Sequence, residues 1–156
     1  ELYQPTTELV DLAIISSGGE PKDMNLIQAQ KALDYGCRAV REGGTIIFLA
    51  DCRDGFGNEH FYSWFDYQDL AVFEEALREN YQINGQTAHS LLNKARRFRV
   101  LLVSGFNAEV SARMGMEKAA DLQQAINMAL SELSAQPKTI VIPDGGLVLP
   151  KIDGTL

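Results

Sequence analysis

The sequence predicts an open three-layer α/β domain in which a mostly parallel sheet carries helices on both faces. Four short apolar runs are rich in Ile and Val and do not alternate with polar residues: 12–15, 45–50, 100–103 and 139–142. Such unbroken strands are typical of parallel sheets that are covered on both faces. Helical patterns lie between the runs, which favours βαβ crossovers. A length of 156 residues is sufficient for one domain with a full core.

The first predicted helix covers residues 24–41. Its apolar stripe has members three or four residues apart: Leu26, Ala29, Leu33, Gly36, Cys37 and Val40. Asp23 is a suitable N-cap for this helix, and Gly43 with Gly44 is expected to end the element.

Further helices are predicted over residues 67–79, 86–97, 108–114 and 122–133. Asp121 and Gln124 have the spacing of a capping box before the last of these helices. We interpret residues 1–9 as a lead-in from a preceding domain, 10–145 as the α/β domain and 146–156 as an exit segment with a short strand at 147–149. Because the first residue is Glu1 rather than Met, we expect the chain to be a fragment of a longer protein.

Composition excludes some functions. The formal charge of −7 and the pI near 4.8 argue against a nucleic-acid partner, which would require clustered Lys and Arg. The basic cluster at 94–99 ends a predicted helix, where positive charge has a structural reason. Cys37 and Cys52 form no disulfide framework, which fits a reducing compartment and a cytoplasmic location. No apolar run approaches the roughly 20 residues that span a bilayer, so no membrane is expected.

The candidate site lies where the strands end, because open α/β sheets bind ligands beyond the carboxyl ends of their strands. Gly-containing segments follow all four strands, at 16–19, 51–57, 104–107 and 143–146. Glycines are also common in strand–helix turns for conformational reasons, so a single loop of this kind indicates little.

Residues 15–31 predict a small-anion site. A strand leads through Gly18 and Gly19 into a helix, so that backbone N–H groups and the positive end of the helix dipole face one spot. Gln28 and Lys31 are three residues apart and share a helix face. A carboxylate is the expected ligand, although both side chains could also be ordinary solvated surface residues. The dinucleotide fingerprint GxGxxG is absent, which disfavours a nicotinamide cofactor.

No catalytic residue and no metal ligand is assigned to this chain. His60 and His89 have no partner at metal-ligand spacing. Asp51 and Arg53 are expected to form a carboxylate–guanidinium pair that holds their loop in place. Residues that could support the rim of the site are Ser17, Asp23, Asn25, Asp51, Arg53, Gly55 and Gly57.

One motif carries a family resemblance. The run Ser17-Gly18-Gly19-x-Pro21-x-Asp23-x-Asn25-x-x-Gln28-Ala29-x-Lys31-Ala32 resembles the carboxy-terminal domain of the nickel-dependent lactate racemase family. The segments at 42–47, 52–57, 103–105 and 114–115 resemble that domain too, so the likeness covers roughly residues 10–145.

The resemblance implies a role in a two-domain enzyme. In that family, the larger amino-terminal domain holds a nickel-pincer mononucleotide, which is tethered to a lysine, and the acid/base histidines. Hydride leaves C2 of a 2-hydroxy acid and returns to the opposite face. By motif position, Gln28 and Lys31 match the substrate-contacting glutamine and lysine, and Lys31 would pair with the substrate carboxylate.

Two hypotheses follow. In the first, the chain is the substrate-gripping lid of a nickel-pincer 2-hydroxy-acid racemase or epimerase and is inactive as a fragment. Ile27 stands where the lactate-specific enzyme has a tyrosine, so the substrate can be another 2-hydroxy acid. The alternative is a non-catalytic module that binds a small carboxylate or mediates assembly.

Overall fold

The computed structural model describes residues 2–153 and confirms the α/β architecture. Its strands are β1 (Thr6–Thr7), β2 (Val10–Ser16), β3 (Val40–Leu49), β4 (Arg99–Val103), β5 (Glu117–Lys118), β6 (Thr139–Ile142) and β7 (Lys151–Ile152). Its α-helices are α1 (Leu26–Gly36), α2 (Leu70–Glu79), α3 (Gly85–Arg97), α4 (Ala108–Arg113) and α5 (Leu122–Leu130). Two 3-10 turns, Cys37–Ala39 and Tyr62–Asp66, precede β3 and α2.

Five strands form the main sheet in the order β5-β4-β3-β2-β6, and every neighbouring pair is parallel. Strands β1 and β7 form a separate parallel pair that joins the two ends of the described chain. The strand predicted at 147–149 is wrong in position, because Val148 forms only an isolated bridge with Tyr3 and the paired strand is Lys151–Ile152.

The two faces of the sheet are buried by different layers. Alternate residues of a strand point to opposite faces. Ile46 and Phe48 therefore belong to the larger core with residues of α1, α2 and α3, whereas Ile47 packs in a smaller core with Ala125 and Ala129 of α5. Burial on both sides explains why the strand sequences do not alternate with polar residues.

Helix α1 is shorter than predicted at both ends. Its N-cap is Asn25 rather than Asp23, and the Asn25 Oδ1 accepts a hydrogen bond from the Gln28 N–H at 3.0 Å. The backbone before it is held extended, since the carbonyl groups of Asp23 and Met24 accept from the N–H groups of Cys52 and Asp54. The helix cannot begin until this pairing ends.

Gly43 and Gly44 do not end a helix, because both lie inside β3. The register of β2 against β3 shifts from Val10↔Val40 to Leu12↔Thr45, so β3 bulges over residues 41–44. Gly43 has a φ of 72° in this bulge, which favours glycine.

The remaining helices agree with the predicted segments apart from their ends. α2 begins at residue 70 because residues 62–66 form a 3-10 turn, and α5 ends at residue 130 rather than 133. The Asp121 carboxylate caps α5 by accepting from the Gln124 N–H at 2.8 Å, as the capping-box spacing predicts. No helix within residues 2–153 combines the length and the apolar character needed to cross a bilayer.

Candidate functional site

The carboxyl ends of β2, β3, β4 and β6 lie at one edge of the sheet, because these strands are parallel neighbours. The chain order reverses beside β2: β3 lies on one side of it, and β6, which follows α5, lies on the other. Ligand sites of open α/β sheets lie at such a reversal of strand order. The tips of β2 and β6 are therefore the place to examine first.

A cavity of about 330 Å³ lies at these two tips, and we call it the switch-point pocket. Its polar lining residues are Ser17, Lys22, Gln28 and Lys31. Its other lining residues are Pro21, Ala29, Ala32, Gly146 and Leu147. The pocket thus combines two cations and an amide with an apolar wall.

Helix α1 positions Gln28 and Lys31. Leu26, Ala29 and Leu33 face the core, which leaves positions 28 and 31 exposed on the side toward the β6 tip. The two side chains share a helix face, as their spacing predicts, and both line the pocket. Among the residues that the structure describes, no acidic side chain forms an ion pair with Lys31.

The sequence predicts that N–H groups at the start of α1 bind the anion, and this part of the prediction is wrong because those groups already have protein acceptors. The N–H groups of Leu26 and Ile27 donate to the carbonyl groups of Gly55 and Phe56 at 3.0 and 3.2 Å. The Gln28 N–H donates to the Asn25 side chain. The first turn of α1 is therefore fully capped by protein groups, and its N–H groups are not free to hold an anion.

Gly18 and Gly19 have φ values of 92° and 75° and form the predicted turn, but neither is among the lining residues of the pocket. The Gly18 N–H donates to the Ser16 hydroxyl at 3.1 Å, so it does not face a ligand. A Cβ at Gly18 would lie 2.7 Å from Oδ1 of Asp144. This glycine allows the β2 and β6 tips to approach each other.

The β2–α1 loop is tied to both neighbouring strand tips. Lys22 forms an ion pair with Asp144 after β6, and Glu20 pairs with Arg53 after β3 at 2.8 Å. The predicted Asp51–Arg53 pair is therefore wrong, because the Arg53 guanidinium reaches Glu20 across the sheet edge instead. Glu20 raises the pKa of Arg53 by hydrogen bonding to it.

Three other predicted rim residues hold α1 in place. The Ser17 hydroxyl is buried and donates to the Ala29 carbonyl at 3.3 Å. Gly55 supplies the carbonyl that caps α1, and a Cβ at Gly57 would lie 2.6 Å from the Asn25 side chain. These residues support the helix that carries Gln28 and Lys31.

A second cavity, of about 500 Å³, lies at the tips of β2, β3 and β4, and we call it the acidic crevice. Its polar side chains are Ser16, Asp23, Asp51 and Ser104, and the Asp23 carboxylate accepts from the Asp51 N–H at 3.2 Å. Gly19 lines this crevice rather than the pocket.

The thiol of Cys52 is not a nucleophile at neutral pH. Burial, followed by the charges of Asp23 and Asp51, raises its pKa to about 12. Burial also raises the pKa of Cys37. Since the thiolate is the reactive form, both cysteines are inert packing residues near neutral pH.

Neither histidine lies at the pocket. His60 is exposed and 3.3 Å from a Glu59 carboxylate oxygen, whereas the His89 ring packs against Phe73 and lies 3.3 Å from the Leu70 carbonyl. Within residues 2–153, no group of three or more His, Cys, Asp or Glu side chains could hold a metal ion. The described lining of the pocket therefore offers groups for recognition: the ammonium of Lys31, the amide of Gln28 and an apolar wall, while the ammonium of Lys22 is paired with Asp144.

The basic cluster at 94–99 is compensated by acidic side chains. Lys94 pairs with Asp34, and Arg97 pairs with Glu42 at 2.9 Å. Arg99 bridges Glu117 and Glu132 at 2.7 and 3.1 Å, and it lowers the pKa of Glu117. These pairings connect elements of the fold.

Sequence reasoning missed three residues at the pocket: Lys22, Asp144 and Leu147. The last two lie more than a hundred residues from the glycine turn, and only the pairing of β6 with β2 brings them to it. The one available signal was that the segment after β6 is rich in Gly, as is the segment after β2.

Comparison with known proteins connects this geometry with one family. A family model described as the lactate racemase C-terminal domain matches residues 6–149. A lactate racemase from Thermoanaerobacterium thermosaccharolyticum is 36% identical over 96% of this chain. Another, from Lactiplantibacillus plantarum, is 33% identical over 90% of it. The aligned regions are 36% and 35% of these curated relatives, so the chain spans about a third of their length.

Solved structures agree. The lactate racemase apoprotein from T. thermosaccharolyticum superposes with a TM-score of 0.84 at 34% identity, covering 94% of this chain and 36% of that one. A protein from Thermotoga maritima shares the fold alone, with a TM-score of 0.64 at 14% identity.

Proposed function

The chain belongs to the family of lactate racemase C-terminal domains, and we propose that it is the substrate-gripping domain of a 2-hydroxy-acid racemase or epimerase. The observation that carries the proposal is the switch-point pocket, where α1 presents Gln28 beside an apolar wall together with Lys31, with which no acidic side chain of residues 2–153 pairs. The same two residues match the family motif by position.

In this proposal, Lys31 binds the substrate carboxylate through its ammonium group, and Gln28 donates its amide N–H to a substrate oxygen. Both side chains project from a helix whose first turn is fully capped, so the position of the backbone that carries them is set before substrate arrives. Closure of this domain over a partner domain would exclude water from the bound acid and strengthen the carboxylate–ammonium interaction.

The reacting groups are proposed to lie in the amino-terminal domain of the full-length protein. The family resemblance assigns the hydride chemistry to a nickel-pincer mononucleotide bound there, and the T. thermosaccharolyticum relative was solved as an apoprotein, that is, without its cofactor. The described residues contain no cluster of metal-binding side chains, so we assign no nickel ligand to them. A cytoplasmic location, inferred from the two free thiols, remains part of the proposal.

The experiment uses the full-length protein with its cofactor and follows the interconversion of D- and L-lactate, and then of other 2-hydroxy acids, by chiral chromatography. Lys31→Ala should lower kcat/KM by an amount that corresponds to about 2–4 kcal/mol of transition-state free energy, because the substrate carboxylate, enclosed by the proposed domain closure, loses its counterion. Arg38→Ala is the matched control, since it removes an exposed cation just after α1 that does not line the pocket. Equal kinetics for the Lys31 variant and the wild type would refute the assigned role.

The alternative is a non-catalytic module that senses a small carboxylate. It is favoured by the lack of a His, Asp or Glu side chain among the described lining residues of the pocket. A full-length, cofactor-loaded protein that binds lactate in calorimetry but interconverts no enantiomer of any 2-hydroxy acid would establish it.

A further inference from the structure

The switch-point pocket contains a second cation that is neutralised within the fold. Lys22 lines the pocket together with Lys31, but its ammonium group is paired with the Asp144 carboxylate. Lys31 has no such partner among the described residues. The two lysines therefore differ in what they can offer to a bound anion.

Backbone hydrogen bonds hold both of the loops that carry the two members of the ion pair. The Lys22 N–H donates to the Gly19 carbonyl at 2.8 Å, and the N–H of Gly145, next to Asp144, donates to the Ser16 carbonyl at 2.8 Å. These bonds fix the loops that carry the two charges on either side of the β2 tip. The pair is more constrained than an ordinary contact between surface side chains.

Gly18 places the Asp144 carboxylate. The α-carbon of Gly18 lies so close to that carboxylate that a Cβ would be only 2.7 Å from its Oδ1. The Oδ1 atom is buried and has no hydrogen-bond partner within residues 2–153, so the Lys22 ammonium at Oδ2 is the described group that compensates the Asp144 charge. The pair is half-buried, with the Lys22 and Asp144 side chains 40% and 33% exposed, so removing one member leaves the other beside the pocket, partly solvated and without its counterion.

We propose that Asp144 determines substrate specificity: by holding Lys22 in an ion pair, it leaves Lys31 as the one free cation among the described residues that line the pocket. The pocket then selects 2-hydroxy acids with a single carboxylate over those with two. Leu147, Pro21 and the two alanines of α1 provide an apolar wall for the rest of the substrate. A second carboxylate placed there would have to displace Asp144 from Lys22 or remain unpaired. This inference rests on the proposed function.

The test compares malate, which is 2-hydroxysuccinate, with lactate in the full-length, cofactor-loaded protein. Malate is measured as a competitive inhibitor of lactate interconversion. In Asp144→Asn, the ratio of the malate Ki to the lactate KM should fall by about five- to tenfold, because Lys22 becomes available to the second carboxylate. Lys22→Gln should leave that ratio near the wild-type value or raise it, and the double variant should behave like Lys22→Gln.

A purely structural ion pair predicts a different pattern. Asp144→Asn and Lys22→Gln would then weaken lactate and malate alike and in the same direction, and this result would overturn the proposal. Asp54→Asn, which removes an exposed carboxylate from the β3 tip loop, controls for the change in net charge. Its malate-to-lactate ratio should equal that of the wild type; a fall as large as that of Asp144→Asn would also overturn the proposal.

The outcome can be separated from a failure of the proposed function. If neither the wild type nor any variant interconverts lactate enantiomers, the proposed reaction is wrong. The ratio of the malate Kd to the lactate Kd, measured by calorimetry, then replaces the kinetic ratio. A ratio that falls only in Asp144→Asn supports the charge selection in either case. A ratio that is the same in all variants contradicts it.

Discussion

The switch-point pocket and the acidic crevice lie at the same edge of the same sheet, yet they carry opposite charges. The pocket contains Lys22 and Lys31, whereas the crevice contains Asp23 and Asp51. Both are bordered by the tip of β2. What differs is the element that completes each cavity: an exposed face of α1 completes the pocket, and the loop after β3 with the start of α5 completes the crevice. The tip of β2 is therefore common to both cavities, and the neighbouring elements set the charge of each cavity.

The close approach of the β6 tip to α1 beside the pocket gives the largest expected effect on stability. A Cβ at Gly145 would lie 2.8 Å from Cβ of Ala32 and 2.9 Å from a methyl group of Ile15. We expect Gly145→Ala to lower the free energy of unfolding by about 1–3 kcal/mol, since the β6 tip must move away from α1. Urea denaturation followed by circular dichroism measures it.

Gly146→Ala is the matched control for this prediction. The nearest atom to a Cβ at Gly146 is 3.8 Å away, so the variant should differ from the wild type by less than about 0.5 kcal/mol. Equal stability losses in the two variants would show that the approach of β6 to α1 does not constrain the pocket.

Substitutions of the helix caps beside the two cavities test which cavity binds substrate. Asn25 caps α1 at the pocket, and Asp121 caps α5 at the crevice. Each substitution to Ala should cost about 1 kcal/mol of unfolding free energy. In the proposed racemase, however, only Asn25→Ala should raise the KM for substrate, because α1 carries Gln28 and Lys31. A comparable rise in KM for Asp121→Ala would shift the binding site toward the crevice.

The smallest expected effect concerns Cys52 beside the crevice. Its pKa in the folded protein, about 12, lies above the value of 9.0 for an unperturbed thiol. The resulting stabilisation is complete below pH 9 and is lost as the pH rises from 9 toward 12, because only the unfolded chain then ionises readily. The stability difference between the wild type and Cys52→Ala should thus shrink by less than about 1 kcal/mol between pH 7.5 and 9.5. Urea midpoints at the two pH values measure the difference; an increase with pH would contradict the assignment.

The fold could be predicted because its signals are local. Every strand of the main sheet except β5 contains an apolar run. Strands β2, β3 and β4 need it because the run is buried on both faces, whereas Val141 in the edge strand β6 is 60% exposed. Strand β5 was missed because it has two residues, Glu117 and Lys118, and no apolar pattern. The end of α1 was misplaced because Gly43 and Gly44, which are ordinary signals of a helix end, serve a bulge in β3 instead.

The site was predicted in part. The spacing of Gln28 and Lys31 was enough to place them on one face of α1, because helix geometry depends on neighbours in sequence alone. Their role in binding remains a prediction. The N-terminus of α1 looked equally suited to an anion, but its N–H groups are consumed by the carbonyl groups of Gly55 and Phe56, and no local pattern indicates that contact.

The sequence by itself determined the four longest strands, most of the helices and the face on which Lys31 lies, because hydrophobic periodicity and helix spacing are properties of short segments. Only the tertiary structure decided that Lys22 is neutralised by Asp144, since these two residues are 122 positions apart and meet through the pairing of β6 with β2. The same long-range pairing closes the pocket. The charge that a bound acid would meet is therefore set by the order of strands in the sheet.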